Sequence, residues 1–441
     1  MRFIFSAPFR TQINLDSISA VDSLDMITDI LTETNKYLMN NFTEGIVLSS
    51  PWCSDSNSCL QYSSLSEDNL PLTAKPLIKM NITGLARSFE YYDISEDYDS
   101  GLSLINESYV EFYDNTIAVL LVDITFKNII NKNAFISSLD QWSTKYCSAL
   151  INSIKLYEKK IQEKLIELDL SYKTKHFVPN GSFKVFFDRN QTFTNINDEM
   201  LWVTRICLEV KPNSNLDIFF NWTANPDLLE KKVKLLSSSA TFCVGNSLTF
   251  GKLNASEESA LKVSLSLSLY FYVLHSTLNK NLRTIFLDIS NSKKVSNSVI
   301  TNINRITSHI EFIENEFSDV IMGLQGLRCK ITNILLDTWN YSELIRSVQK
   351  KKNAVEKNIN FILQEKNNKY RRIVESILAG IGGISILDFS LNLFLFSSKK
   401  IVSNDSIPGL IDATNYLSVD GTIYMILLFL FFVFFLIMKK R

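Results

Sequence analysis

Two apolar segments near the end of the 441-residue chain, Ile373 to Phe396 and Thr422 to Met438, constrain its fold more than any other feature. A helix needs about 20 mostly apolar residues to cross the hydrocarbon core of a bilayer. Both segments come close to that length, and nothing before Ile373 does. With the polar stretch Ser397 to Gly421 between them and Lys439, Lys440 and Arg441 behind, they predict a C-terminal two-helix transmembrane hairpin carrying a large soluble domain.

The two spans differ in kind. The second, from Ile423 to Met438, has no charged or amide side chain, so it can face lipid all round and reads as an anchor. The first contains Glu375, Ser376, Gly380, Gly382, Gly383, Ser385, Asp388, Ser390 and Asn392. An Asp at mid-helix costs at least ~2.5 kcal/mol on insertion scales, so such a residue normally faces protein or water. At about 100° per residue, Ser385, Asp388 and Asn392 share one narrow arc, while Gly380 and Gly383 fall on another side that a neighbouring helix can approach. One reading makes this a pore-lining helix repeated around a symmetry axis, with Ser385, Asp388, Asn392 and Glu375 as candidate pore residues. The other makes the arc a polar contact within the hairpin.

Lys366, Lys369, Arg371 and Arg372 precede the first span, and Lys439, Lys440 and Arg441 follow the second. The positive-inside rule then places both termini in the cytoplasm of a multi-pass protein of the inner (plasma) membrane. The start, Met1 to Pro8, has too short an apolar region for a secretory signal, which again puts the soluble domain in the cytosol. Six Cys (53, 59, 147, 207, 243 and 329) lack metal-ligand spacing and read as reduced thiols. A net charge of −1 argues against direct nucleic-acid binding. The three His (176, 275 and 309) are isolated, with His309 read as a helix-surface residue, and no phosphate loop, paired-His zinc motif or nucleophile elbow is present. No enzyme activity is therefore expected. The acidic run Glu90, Asp93, Glu96, Asp97 and Asp99 reads as a solvated loop.

Residues 1–290 mix strand and helix signals and predict an α/β or α+β domain. Candidate strands are Arg2 to Ser6, Gly45 to Ser49, Thr116 to Phe126, Ser182 to Phe187, Leu201 to Val210, Asp217 to Trp222 and Thr241 to Gly251. Candidate helices are Ser17 to Met39, Ala134 to Asp169, Pro226 to Ser237 and Glu257 to Asn279, and Ser50 to Pro71 reads as a loop. Residues 291–372 then change character. Val299, Ile303, Ile306, Ile310, Ile313, Phe317, Val320, Leu324, Leu327, Ile331 and Ile334 follow spacings of four and three, the repeat of long packed or coiled-coil helices. Gly323 and Gly326 interrupt it and mark either a hairpin reversal or a weak point. Ile345, Val348, Val355, Ile359 and Ile362 continue a seam with no Gly or Pro before Ile373, so one helix can run from stalk into membrane. Periodicity alone leaves an intrachain bundle and a signalling stalk equally open.

A cytosolic α/β domain, long helices, and a stalk continuous with the first of two C-terminal spans resemble the CorA-like metal ion channels and transporters. The match is architectural over Val299 to Arg441. Locally, Asn367-Asn368-Lys369-Tyr370-Arg371-Arg372-Ile373-Val374-Glu375-Ser376-Ile377-Leu378-Ala379 is similar to that family's stalk-to-membrane junction. The resemblance implies a homopentamer in the lipid bilayer with the first span around the pore. The family's Gly-Met-Asn signature is absent; Asn392-Leu393-Phe394-Leu395-Phe396 stands there. That departure is shared by CorA-like membrane effectors of type III CRISPR systems, which implies an ion channel of antiviral defence gated by a nucleotide second messenger. The alternatives are a housekeeping magnesium transporter and a membrane-tethered scaffold without a pore. No cofactor is required in any of these; a divalent cation or a nucleotide is the expected ligand.

Overall fold

The computed structural model describes residues 1–13, 24–41, 45–49, 76, 78–89, 103–113, 116–127, 129, 131–173, 200–211, 217–225, 232–291 and 297–397. The expected strand Ser182 to Phe187, the loop Ser50 to Pro71, the acidic run, Cys53, Cys59 and the second span lie outside them. Two units divide the chain, Met1–Glu356 and Lys357–Arg441.

The first unit is built on one sheet whose described strands are β1 (Arg2–Arg10), β2 (Val47–Ser49), β3 (Ile78–Asn81), β4 (Ser103–Tyr113), β5 (Ile117–Phe126), β6 (Thr204–Val210), β7 (Val233–Lys234), β8 (Ser239–Thr241) and β9 (Asn246–Phe250). Their order is β2-β3-β4-β5-β1-β6-β9-β8-β7. Neighbours are antiparallel except for β6 and β9, which are parallel. The α/β class expected from the sequence is thus found in this unit.

Strand β1 sits at the centre and continues through Pro8, past the point where its sequence signal stops. Proline is normally confined to sheet edges because it has no N–H to donate. Here β6 pairs only with Arg2 to Ser6, and the Pro8 carbonyl accepts from Leu201 N at 3.1 Å. In a strand the N and O of one residue point to the same side, so the missing donor faces Leu201 and the β5 ladder loses nothing.

Alternation along the strands gives the sheet two unlike faces. Phe3, Phe5, Phe9, Met80, Phe112, Leu120, Val122 and Phe126 join α1 (Leu24–Asn41) and α3 (Lys132–Ser171) in an apolar core. A short helix, α2 (Thr83–Ser88), packs on β4. The opposite face carries Ile4, Ser6, Glu111, Tyr113 and Asp123 and packs on α5 (Ala255–Asn291), where Tyr113 stacks on Tyr270 at 4.5 Å and Ser266 Oγ donates to Glu111 Oε2 at 2.5 Å. Helix α5 starts from a capping box. Asn254 Oδ1 accepts from Glu257 N at 2.8 Å, and Glu257 Oε2 accepts from Asn254 N at 2.9 Å.

Local sequence misleads at three places. The expected strand Asp217 to Trp222 is a helix, α4 (Asp217–Thr223), because its aromatic residues are held by α3: Phe219 is buried and Trp222 Nε1 donates to Asp140 Oδ1 at 2.8 Å. Within the expected helix Pro226 to Ser237, residues 233 and 234 form β7 instead, against β8. The run Thr241 to Gly251 is not one strand, since Gly245 at φ +86° turns the chain between β8 and β9.

Three further helices complete the description: α6 (Asn297–Gly323), α7 (Gly326–Thr338) and α8 (Tyr341–Ser397). The break at Gly323 and Gly326 is a reversal. Phe317 of α6 lies 4.9 Å from Tyr341 of α8, and Glu311 Oε1 pairs with Lys352 Nζ at 2.5 Å, so α6 runs antiparallel to the start of α8. Gly326 at φ +59° takes the left-handed conformation that favours glycine at the turn. The heptad seam is consumed inside the chain: Ile303, Ile310, Ile313, Val320, Leu324 and Ile331 are all buried. This part of the repeat therefore packs as a helical bundle within the chain.

Candidate functional site

Helix α8 is 57 residues long and contains the whole first apolar segment, through Phe396. It is long and apolar enough to cross a membrane, with an 18-residue window of mean hydropathy 1.6 of which none is buried. Ile377, Leu378, Ile381, Ile384 and Phe389 are each more than half exposed. Apolar surface on that scale in water is unfavourable at roughly 25 cal/mol per Å2 and calls for lipid or protein to cover it.

All four candidate residues lie on α8 and are exposed in the chain. At about 100° per residue, Ser385, Asp388 and Asn392 fall within an arc of about 60° and rise about 10 Å along the axis. Glu375 is not brought to that arc. It lies roughly 100° around the helix from it, about 20 Å below Asp388, and its Oε1 accepts from Arg371 Nε at 3.1 Å. The hydroxyls are satisfied internally, with Ser385 Oγ donating to the Ile381 carbonyl at 3.0 Å and Ser390 Oγ to that of Ile386 at 2.7 Å. Asp388 and Asn392 differ. Among the described residues neither has a hydrogen-bond or ion-pair partner. The arc therefore presents one free carboxylate and one free amide side by side.

Below this, α8 is rooted in a joint with α5 and α6. The Tyr341 hydroxyl meets His275 Nδ1 at 2.9 Å, the same nitrogen lies 3.0 Å from the Phe271 carbonyl, and the rings of Phe317 and Tyr341 pack on the imidazole. His275 is fully buried and its Nε2 has no partner among the described residues. A buried lone pair costs less than a buried unpaired N–H, so the neutral ring carries its proton on Nδ1, facing Phe271. Burial lowers its pKa, only partly opposed by the Phe271 carbonyl, to about 4. A depressed folded-state pKa means that the joint has its full stability above the ordinary value of 6.5 and loses it as pH falls towards 4. The thermal midpoint of full-length protein in detergent should fall across that window by an amount corresponding to about 3 kcal/mol at most. His275→Phe should flatten this part of the profile; an unaltered slope would assign it to other groups.

Two features of the first unit were invisible in the sequence. One is this joint, since an isolated His in an amphipathic helix gives no sign of a tyrosine 66 positions away. The other is a charged network on the α5 side of the sheet. Asp123 accepts from Arg2 Nε at 2.9 Å and Asn106 Nδ2 at 2.8 Å and pairs with Lys262 Nζ at 3.0 Å. Glu258 pairs with Arg2 and Lys262, and Glu107 with Lys262 and Lys79. Three carboxylates face three cations, so the cluster is neutral as a whole. Its one advance signal is the period-two placing of Glu107, Tyr109, Glu111 and Tyr113 in β4.

Cys147, Cys207 and Cys243 are buried thiols, and burial pushes those of Cys147 and Cys207 up to about 12. Among the described residues no group of three or more His, Cys, Asp or Glu is placed to hold a metal ion. The architecture defines a class by itself: an α/β sheet unit with a helical bundle, continued by one helix of membrane-spanning length and composition. No family model, curated protein or solved structure matches the chain.

Proposed function

We propose that the protein is a membrane ion channel of CorA-like architecture, a homo-oligomer in which α8 of each copy lines a central pore with Ser385, Asp388 and Asn392. One observation carries the reading: Asp388 is exposed and, among the described residues, has no hydrogen-bond or ion-pair partner, in a stretch of α8 whose large exposed side chains Ile377, Leu378, Ile381, Ile384, Ile386 and Phe389 are apolar. In lipid such a carboxylate costs several kcal/mol, and it is stabilised by a water-filled axis lined by copies of itself. The resemblance at Asn367 to Ala379 supplies the pentamer, the apolar composition of Thr422 to Met438 the second span, and the basic residues flanking the two spans the multi-pass topology with cytoplasmic termini in the inner membrane. The same resemblance, with Asn392 to Phe396 in place of Gly-Met-Asn, supplies the gating signal: a nucleotide second messenger of a type III CRISPR defence system, received by the sheet unit. A housekeeping magnesium transporter uses the same pore without that signal, and a scaffold uses no pore.

Mass measurement of the full chain in nanodiscs tests the assembly. The expected species is a closed oligomer of five copies. A stable monomer would remove the pore and leave the scaffold.

A further inference from the structure

Lys369, Arg372 and Ser376, on the side of α8 away from the polar arc, and Ile373 and Ile377, which turn back towards it, line a pocket of about 540 Å3. Their spacing, i, i+3, i+4, i+7 and i+8, is one continuous face of a helix. Ser376, at its middle, lies roughly 150° around the axis from the arc of Ser385, Asp388 and Asn392. The stripe changes chemistry along its length, with cations at the stalk end and isoleucines at the membrane end. Arg371 is held by Glu375, but neither Lys369 nor Arg372 has a carboxylate partner among the described residues.

We infer that this pocket is a binding site for one anionic phospholipid of the leaflet on the stalk side, its phosphate between Lys369 and Arg372 and its first acyl carbons on Ile373 and Ile377. Charge complementarity selects the occupant. Two uncompensated cations set one helical turn below an apolar face match an anionic headgroup joined to hydrocarbon, and a pocket of this size lies within the range of small-molecule sites. A soluble anion satisfies only the basic end and leaves both isoleucines uncovered. A neutral lipid satisfies only the apolar end. The lipid would seat the helix at a fixed depth, its headgroup on the side of α8 facing away from the proposed pore. The inference rests on α8 crossing the membrane, the reading given above.

Full-length protein reconstituted in vesicles of equal phosphatidylglycerol and phosphatidylcholine, then extracted and weighed intact, tests it. Retained lipid should be enriched in phosphatidylglycerol. Each cation near a membrane surface contributes roughly fivefold in affinity for anionic lipid, so Lys369→Gln and Arg372→Gln should each lower the enrichment by about that factor and the double variant more. Arg371→Gln, whose guanidinium is already paired, should leave it unchanged. The single variants keep the test valid should the double variant fail to fold. Equal retention of the two lipids by the wild type, or loss of the enrichment on adding inorganic phosphate alone, would overturn the site. Release of the wild-type chain from vesicles by alkaline carbonate would overturn the membrane reading itself and the site with it; a chain that stays bound but shows no lipid preference overturns the site alone.

Discussion

Asp123→Ala is expected to destabilise the protein by about 3 kcal/mol, the low end of the range for breaking a buried ion pair, because its cations keep other carboxylates. The carboxylate is 1% exposed and the Lys262 ammonium 6%, both far from water. Burial alone would raise the pKa of Asp123, but hydrogen bonds from Arg2 and Asn106 and the charge of Lys262 outweigh it and hold the group below the ordinary carboxylate range. The carboxylate is therefore ionised at neutral pH, and deleting it leaves Arg2 with Glu258, and Lys262 with Glu107 and Glu258, so that two carboxylates face three cations. The network ties the first residues of the chain to β5 and α5, so its loss should loosen the central strand. Intrinsic melting of full-length protein should show a fall of about 4 °C, taking a little over one degree per kcal/mol for a unit as large as Met1–Glu356. The double variant Asp123→Leu with Lys262→Met removes one charge of each sign and should be much milder, since buried pairs replaced together by apolar residues are often close to neutral. A single variant within 1 kcal/mol of wild type, on the order of a surface substitution, would show that the cluster is solvated.

Asp388→Asn should leave assembly intact and lower cation flux through reconstituted protein about tenfold. The substitution keeps shape and removes only charge, and a loss of about 1.4 kcal/mol of attraction per ion is already a factor of ten. A ring of carboxylates attracts cations where a ring of amides does so much less. Removing Glu375, which is paired with Arg371 and sits off the arc, should have a smaller effect. The same liposomes distinguish the gated channel from the transporter. A nucleotide that binds the closed and open states equally shifts nothing, so the proposed messenger must prefer one arrangement of the sheet units. Flux that rises on adding a defence nucleotide is the expected result. Flux of magnesium alone, indifferent to nucleotide and able to rescue a magnesium-requiring strain, would establish the housekeeping transporter, and wild-type flux from Asp388→Asn would place that residue outside the conducting path.

What the sequence determined by itself is the one-dimensional part. The membrane-length helix needs only its own apolar composition, because its backbone bonds are internal and its surroundings uniform. The candidate arc follows directly from helical spacing, and the strands β1, β5 and β6 announce themselves by β-branched and aromatic runs that suit a buried pleated surface. Long helices at α3, α5 and α8 were legible because periodicity over many turns outvotes any single residue. Tertiary structure alone decided the rest. Strand β4, with Asn106, Glu107 and Glu111, reads as polar and is a strand only because Lys79, Lys262 and Ser266 wait on the facing elements. Helix α4 looks like a strand until α3 takes up Phe219 and Trp222. The heptad seam says that its stripe must be covered but not by which element. The reversal at Gly323 and Gly326 folds α6 back on α8 and so covers this part of it within the chain.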